Sequence, residues 1–156
     1  MAGIEVTSEL PGMTLKPIGI VRKGIKRTAA KCDREKVVSD IIINTSLTEA
    51  LDGLEESSHI VVLYWMHQAM SGEVPLKIHP RGRQELPLLG LFATRTPNRP
   101  NPVGKAMVRL LQRRGNILRV EGLDAIDGTP VIDIKPYIPG YDSVTNAKVP
   151  PWITNQ

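Results

Sequence analysis

The sequence predicts a mainly β protein: one small β-barrel domain with a single short helix and irregular loops. Three observations carry that prediction. Seven or eight short apolar, largely β-branched runs recur along 156 residues, thirteen prolines and thirteen glycines punctuate them, and only one stretch reads as a helix once turns are weighed. Short strands present raw edges, and closure into a barrel or a strongly bent sheet removes them.

The elements follow in order. Leu15 to Arg22 reads as a strand whose proline, Pro17, belongs at its beginning or at an edge. Residues 23–36 are polar and basic without a clear period, so a mobile arm is expected. Asp40 to Asn44 is a β-branched strand. Ser46 and Glu49 then have the spacing of a capping box. Leu47, Ala50, Leu51 and Leu54 share one face behind it, with Gly53 near the stop, which predicts a helix of two to three turns.

Ile60 to Met66 is apolar on both faces, as a centrally buried strand would be. Pro75 to Pro80 and Leu88 to Thr94 are two further short strands. Val103 to Leu111 fits either period, but Gly115-Asn116 followed by the strand Ile117 to Leu123 makes it the first arm of a hairpin. Asp127-Gly128 signals a second hairpin, leading into the alternating strand Val131 to Lys135. The domain core is expected over about residues 15–142. Residues 136–156 form a proline-punctuated tail (143–156 beyond the core) that wraps the body, with Trp152 pinning it and Trp65 in the core.

Composition narrows the function. An apolar content of 41% and a charged content of 23% are those of a globular chain, not a disordered one. A single cysteine, Cys32, excludes an internal disulfide and a thiolate cluster, which suits a reducing compartment. The first residues lack the basic-then-apolar order of a secretion signal, and no run reaches the roughly 20 apolar residues of a membrane span. A cytoplasmic protein without membrane attachment is expected. His59, His67 and His79 are too scattered to suggest a metal site. Nucleophile-elbow, P-loop and dinucleotide signatures are missing.

Charge is uneven. From Arg81 to Arg114 eight cationic side chains meet one acid, Glu85, so this window holds +7 while the whole chain is only +4. The window is either a solvated basic face or a surface for a polyanion. Inside it lies FATRTPNRPNPVG, residues 92–104. Pro97, Pro100 and Pro102 fix φ and push Thr96, Arg99 and Asn101 toward extended backbone, so the segment is ordered before any ligand arrives. Arg95 and Arg99 offer planar forks for carboxylate, phosphate or an adenine face. Asn98 and Asn101 offer paired donors and acceptors. Gly104 would let a ligand or backbone come close. The residues alone also allow a plain proline-rich turn with its arginines in solvent.

This elbow resembles the signature of the TrmO-like (TsaA-type) family of small β-barrel methyltransferases. These enzymes do not have the Rossmann fold, use S-adenosylmethionine, and methylate N6 of threonylcarbamoyladenosine beside the tRNA anticodon. Further similar stretches follow in the family's order: Leu54 to Ile60, His67-Gln68, and Asp124 to Tyr137 with its DGTPVIDIKPY block. The similarity runs from about Pro17 to Asp142. It implies cofactor contacts at His67, Gln68, Arg95, Lys105, Asp127, Gly128, Thr129 and Pro130. It makes Arg99, Asn101 and Lys135 candidates for orienting the acceptor base and its threonyl carboxylate, with no general base named. It also implies tRNA as substrate, a homodimer, and no metal.

The chain departs from the family pattern at Lys23-Gly24 and at Lys105, a cation where an apolar cofactor contact is expected. Without the resemblance, a non-catalytic RNA- or nucleotide-binding barrel fits the same residues. A methyltransferase for a small anionic metabolite is the remaining alternative. Asp127-Gly128 would then be an ordinary turn, His67 a structural histidine, Lys135 a strand-end cation and Tyr137 a core ring.

Overall fold

The computed structural model describes residues 12–23, 36–69 and 72–154. Eight strands follow in chain order: β1 (Gly19–Arg22), β2 (Val38–Ile43), β3 (His59–Trp65), β4 (Lys77–Ile78), β5 (Leu89–Gly90), β6 (Val103–Arg114), β7 (Ile117–Glu121) and β8 (Pro130–Pro136). Six of them close a barrel in the order β1-β2-β7-β6-β3-β8, every neighbouring pair antiparallel and β8 returning to β1. The mainly β, barrel-forming expectation therefore holds.

Alternation explains why these residues fill the barrel. Along β2, Ser39, Ile41 and Ile43 point inward; along β6, Gly104, Ala106 and Val108 do so. The facing β3 supplies Tyr64, Val62 and Ile60, paired in register with Gly104, Ala106 and Val108. Val21, Ile41, Ile60, Val62, Leu118, Val120, Leu123 and Val131 complete a core with no solvent exposure. The two-sided apolar pattern of β3 is also explained, because the outward Val61 is nearly as buried as its inward neighbours. Gly115, at φ 56°, turns β6 into β7, and one bulge between Leu110 and Gln112 absorbs the extra residue of the longer arm.

Several elements differ from expectation. The helix is a 3₁₀ coil over Thr45–Leu51, followed by a separate turn at Leu54–Glu56. Its cap is Asn44, whose Oδ1 accepts from the Ser46 N–H at 3.0 Å and from the Ser46 hydroxyl at 2.9 Å. Glu49 contributes its carbonyl to the Asp52 N–H rather than a carboxylate to a capping box. The better-placed amide acceptor lies two residues before the serine, and Gly53 at φ 85° ends the run before an α-helix can propagate.

The segments 75–80 and 88–94 keep only two strand residues each and pair with one another outside the barrel. Asp127-Gly128 is a tight turn but not a hairpin, because β7 and β8 are not neighbours. The turn is instead stitched to β1, where the Gly128 N–H donates to the Val21 carbonyl and the Val21 N–H to the Thr129 carbonyl, each at 2.9 Å. The first strand begins at Gly19, with Pro17 in the coil before it, and the second starts two residues earlier than expected, at Val38. The tail forms short helical turns at Pro139–Asp142 and Pro151–Thr154; residues 138–151 are exposed, not wrapped against the body, and Trp152 is half-buried. Trp65 is likewise half-buried. The arm expected at 23–36 lies almost wholly outside the described residues.

Candidate functional site

The elbow keeps the irregular course its prolines dictate. Between Ala93 and Val103 no strand or helix absorbs it, and it is held at its ends. The Thr94 N–H donates to the Leu91 carbonyl at 3.1 Å, and the Met66 N–H donates to the Pro102 carbonyl at 2.7 Å. The second bond ties the foot of the elbow to the end of β3. A cavity of about 880 Å³ opens there, walled by the end of β3, the elbow, the first residues of β6 and the loop from Asp124 to Thr129.

Three cations line this cavity: Arg95, Arg99 and Lys105. None makes an ion pair among the described residues. Among the described residues the Arg99 guanidinium reaches only the Thr94 carbonyl, at 3.4 Å, and the Phe92 ring. Elsewhere in the basic window two arginines are tied to carboxylates, whereas Arg81, Arg109 and Arg114 have no ion pair among the described residues. Arg113 is bound by Asp52 at 2.6 Å and Glu55 at 3.1 Å, and Arg83 by Glu85 at 2.6 Å. A cavity that gathers uncommitted guanidinium and ammonium groups is built for an anionic ligand group. Gln68, Asn98 and Thr129 add polar wall, while Met66, Ala125 and Ile126 add apolar wall.

Tyr64 also lines the cavity but is not a candidate base. Its hydroxyl donates to the Asp124 carbonyl at 2.8 Å. Burial, then the Asp124 carboxylate, pushes its pKa up to about 12, so it stays neutral. A second cavity, about 540 Å³, lies between the 3₁₀ segment and β8. It is largely apolar, and its two carboxylates, Asp52 and Asp133, are paired with Arg113 and Lys135. It offers no cation to an anion.

Of the residues singled out from sequence, Gln68, Arg95, Arg99, Lys105 and Thr129 meet on the larger cavity's wall. His67 is exposed beside Gln68, and Asn101 is exposed at the foot of the elbow, its carbonyl taking the Val103 N–H at 2.7 Å. Asp127, Gly128 and Pro130 bracket wall residues without lining the cavity themselves. Asp127 accepts from the Lys23 N–H at 2.9 Å and faces Arg22 at 3.7 Å, which leaves its carboxylate anchoring the turn to β1. Lys135 stands apart. It is four residues along β8 from Val131 and holds Asp133 at 2.7 Å. Gly104 also lies on the cavity wall, with the Tyr64 ring where its Cβ would be.

Sequence reasoning did not single out Tyr64, Met66 or Ala125 as wall residues. Tyr64 and Met66 sat inside an apolar run that reads as strand core, and only the closure of the barrel brings them beside the Asp124 loop. Among the described residues no three His, Cys, Asp or Glu side chains are grouped to hold a metal. No helix there is long and apolar enough to cross a membrane.

Fold and cavity together define a class: a small closed antiparallel barrel with a cationic ligand cavity at one end, unlike the doubly wound nucleotide-binding folds. The chain belongs to the tRNA-methyltransferase O N-terminal domain family, whose model matches residues 22–143. It is 47% identical over 133 residues to a probable S-adenosyl-L-methionine-binding protein of Methanothermobacter thermautotrophicus, covering 83% of this chain and 93% of that one. It is 33% identical over 154 residues to the mouse tRNA (adenine(37)-N6)-methyltransferase, covering 94% of this chain but 36% of the mouse protein. The crystal structure of TrmO from Pseudomonas aeruginosa superposes with a TM-score of 0.74 at 32% identity, over 94% of this chain and 64% of that one. The chain thus spans nearly all of the archaeal relative, about a third of the mouse enzyme and just under two thirds of the solved bacterial chain.

Proposed function

We propose that this chain is an S-adenosylmethionine-dependent methyltransferase acting on N6 of an adenosine in tRNA, with threonylcarbamoyladenosine beside the anticodon as the acceptor. The observation that carries this reading is the convergence of Arg95, Arg99 and Lys105, without acidic partners among the described residues, on the cavity at the barrel end. Membership of the family and the printed activities of its relatives supply the chemistry.

The donor set fits the cofactor. Arg95 suits a carboxylate, Gln68 and the backbone around Thr129 suit an ammonium and an adenine edge, and Met66, Ala125 and Ile126 suit the apolar remainder. His67, Asp127, Gly128 and Pro130 would close around its exposed side. When bound, the cofactor supplies a methyl group that is already electrophilic. The protein's task is therefore alignment and exclusion of water. The braced elbow provides alignment, with Arg99, Asn98 and Asn101 orienting the acceptor and its carboxylate. Tyr64, neutral and committed to the Asp124 carbonyl, takes no proton from it. Lys135, on the outer wall, would serve only through a phosphate of the bound RNA. Free cations around the cavity give tRNA affinity that falls with salt.

The same reading includes a cytoplasmic homodimer. Incubating the protein with unmodified and threonylcarbamoylated tRNA and cofactor, followed by mass spectrometry of the nucleosides, tests it. A methyl added to the modified adenosine is expected. Methylation confined to small metabolites, or none, overturns the reading.

A further inference from the structure

Phe92, the chain's one phenylalanine, is 80% exposed, although its neighbours Leu91 and Thr94 are buried. The exposure is built, not incidental. The Leu91 N–H donates to the Leu76 carbonyl at 2.9 Å, which fastens the turn to the β4–β5 ribbon. The Leu91 carbonyl accepts from both the Thr94 N–H at 3.1 Å and the Thr94 hydroxyl at 2.8 Å. Leu91 takes the inward position of this tight turn, so the next residue must point to solvent. Above the ring sits the Arg99 guanidinium, 6.0 Å from its centroid. Arg99 also lines the cation-rich cavity, so ring and cavity share one side chain.

We infer that Phe92, backed by Arg99, is a stacking platform for an unpaired base of single-stranded RNA, next to the nucleotide whose base enters the cavity. An exposed aromatic face flanked by arginines is the arrangement that binds unstacked bases without reading their edges. Charge complementarity selects RNA over an apolar protein partner: the ring lies in the most basic stretch of the chain, under Arg99 and three residues before Arg95, with Arg81 in the loop closing the same ribbon. The inference rests on the proposed RNA substrate but not on methyl transfer.

The test uses the intact chain and a synthetic stem-loop RNA with an unpaired loop. Phe92→Ala should weaken loop binding roughly 5- to 100-fold, while Phe92→Trp binds like wild type and shows fluorescence quenching beyond that of Trp65 and Trp152 in wild type. Binding of heparin, a polyanion without bases, and of S-adenosylmethionine should be unchanged by Phe92→Ala. Equal RNA affinity for Phe92→Ala and wild type overturns the inference, as does no RNA binding by wild type. So does a change confined to sedimentation, which would assign the ring to a protein contact. If RNA binding behaves as expected but no methyl is transferred, the proposed reaction fails and the platform stands.

Discussion

The ring of Tyr64 occupies the space where a side chain on Gly104 would begin. The two residues are register partners on β3 and β6, and a Cβ on Gly104 would lie 2.3 Å from the tyrosine ring. The ring cannot swing aside freely, because its hydroxyl is bonded to the Asp124 carbonyl. The glycine that follows the elbow therefore serves the barrel wall behind the cavity. Gly104→Ala should cost about 1–3 kcal/mol or more of stability through overpacking. In a double-mutant cycle, Gly104→Ala with Tyr64→Ala should be clearly less destabilised than the sum of the two single changes. Strict additivity in urea midpoints would show that the two residues do not compete for this space.

In the proposed function Arg95, on the cavity wall, takes the cofactor's carboxylate. Arg95→Ala should weaken S-adenosylmethionine binding by roughly 10- to 100-fold, the usual worth of a charge-assisted hydrogen bond. Arg95→Lys should recover part of it, since the charge returns without the planar fork. Calorimetry with each variant reads this directly, and a wild-type dissociation constant for Arg95→Ala would remove the residue from the cofactor site.

How much of this was legible in the sequence depended on distance along the chain. Alternation and tight-turn residues are local, so β3, β8 and the β6–β7 hairpin could be read directly. The elbow's stiffness is also local, since each proline acts on itself and the residue before it. What escaped depended on pairings between distant segments. Asp127-Gly128 looks like a hairpin turn until β8 is seen to pair with β1 and β3. Gly104 does line the cavity, but that its missing side chain also makes room for a ring forty positions earlier shows only in the β3–β6 register. Charge counting told the net sign of the 81–114 window but not that Arg113 and Arg83 are consumed by nearby carboxylates.

Arg113 shows how such a charge can be structural. Its guanidinium donates to the Thr48 and Leu51 carbonyls at 3.3 and 3.1 Å, to the carboxylates of Asp52 and Glu55, and through Nε to the Gly115 carbonyl at 3.2 Å. One side chain thereby clamps the 3₁₀ segment to the hairpin. Arg113→Ala should lower the melting temperature, and Arg113→Lys should recover little, because one ammonium cannot span five acceptors. Hydrogen exchange should rise first in residues 45–56 while cofactor affinity is kept. Unchanged protection of that segment would rule out the clamp.

Asp40 links stability to acid. Its carboxylate, mostly buried, meets Lys23 Nζ at 3.1 Å and Arg119 Nε at 3.0 Å, joining the end of β1 to β2 and β7. Burial alone would raise its pKa, but the Lys23 hydrogen bond and the charges of Arg119 and Lys23 outweigh it and hold the group below its ordinary 3.8. Because the folded value lies below the unfolded one, the stabilisation is complete above the unfolded value. It is lost as pH falls through the folded one. Wild type should therefore lose stability from about pH 4 downward. Asp40→Asn should be less stable than wild type at pH 7, and the gap should narrow as the medium is acidified. Urea midpoints across a pH series measure both limbs. A gap that stays constant from pH 7 to the acid limit would show that Asp40 carries no depressed titration.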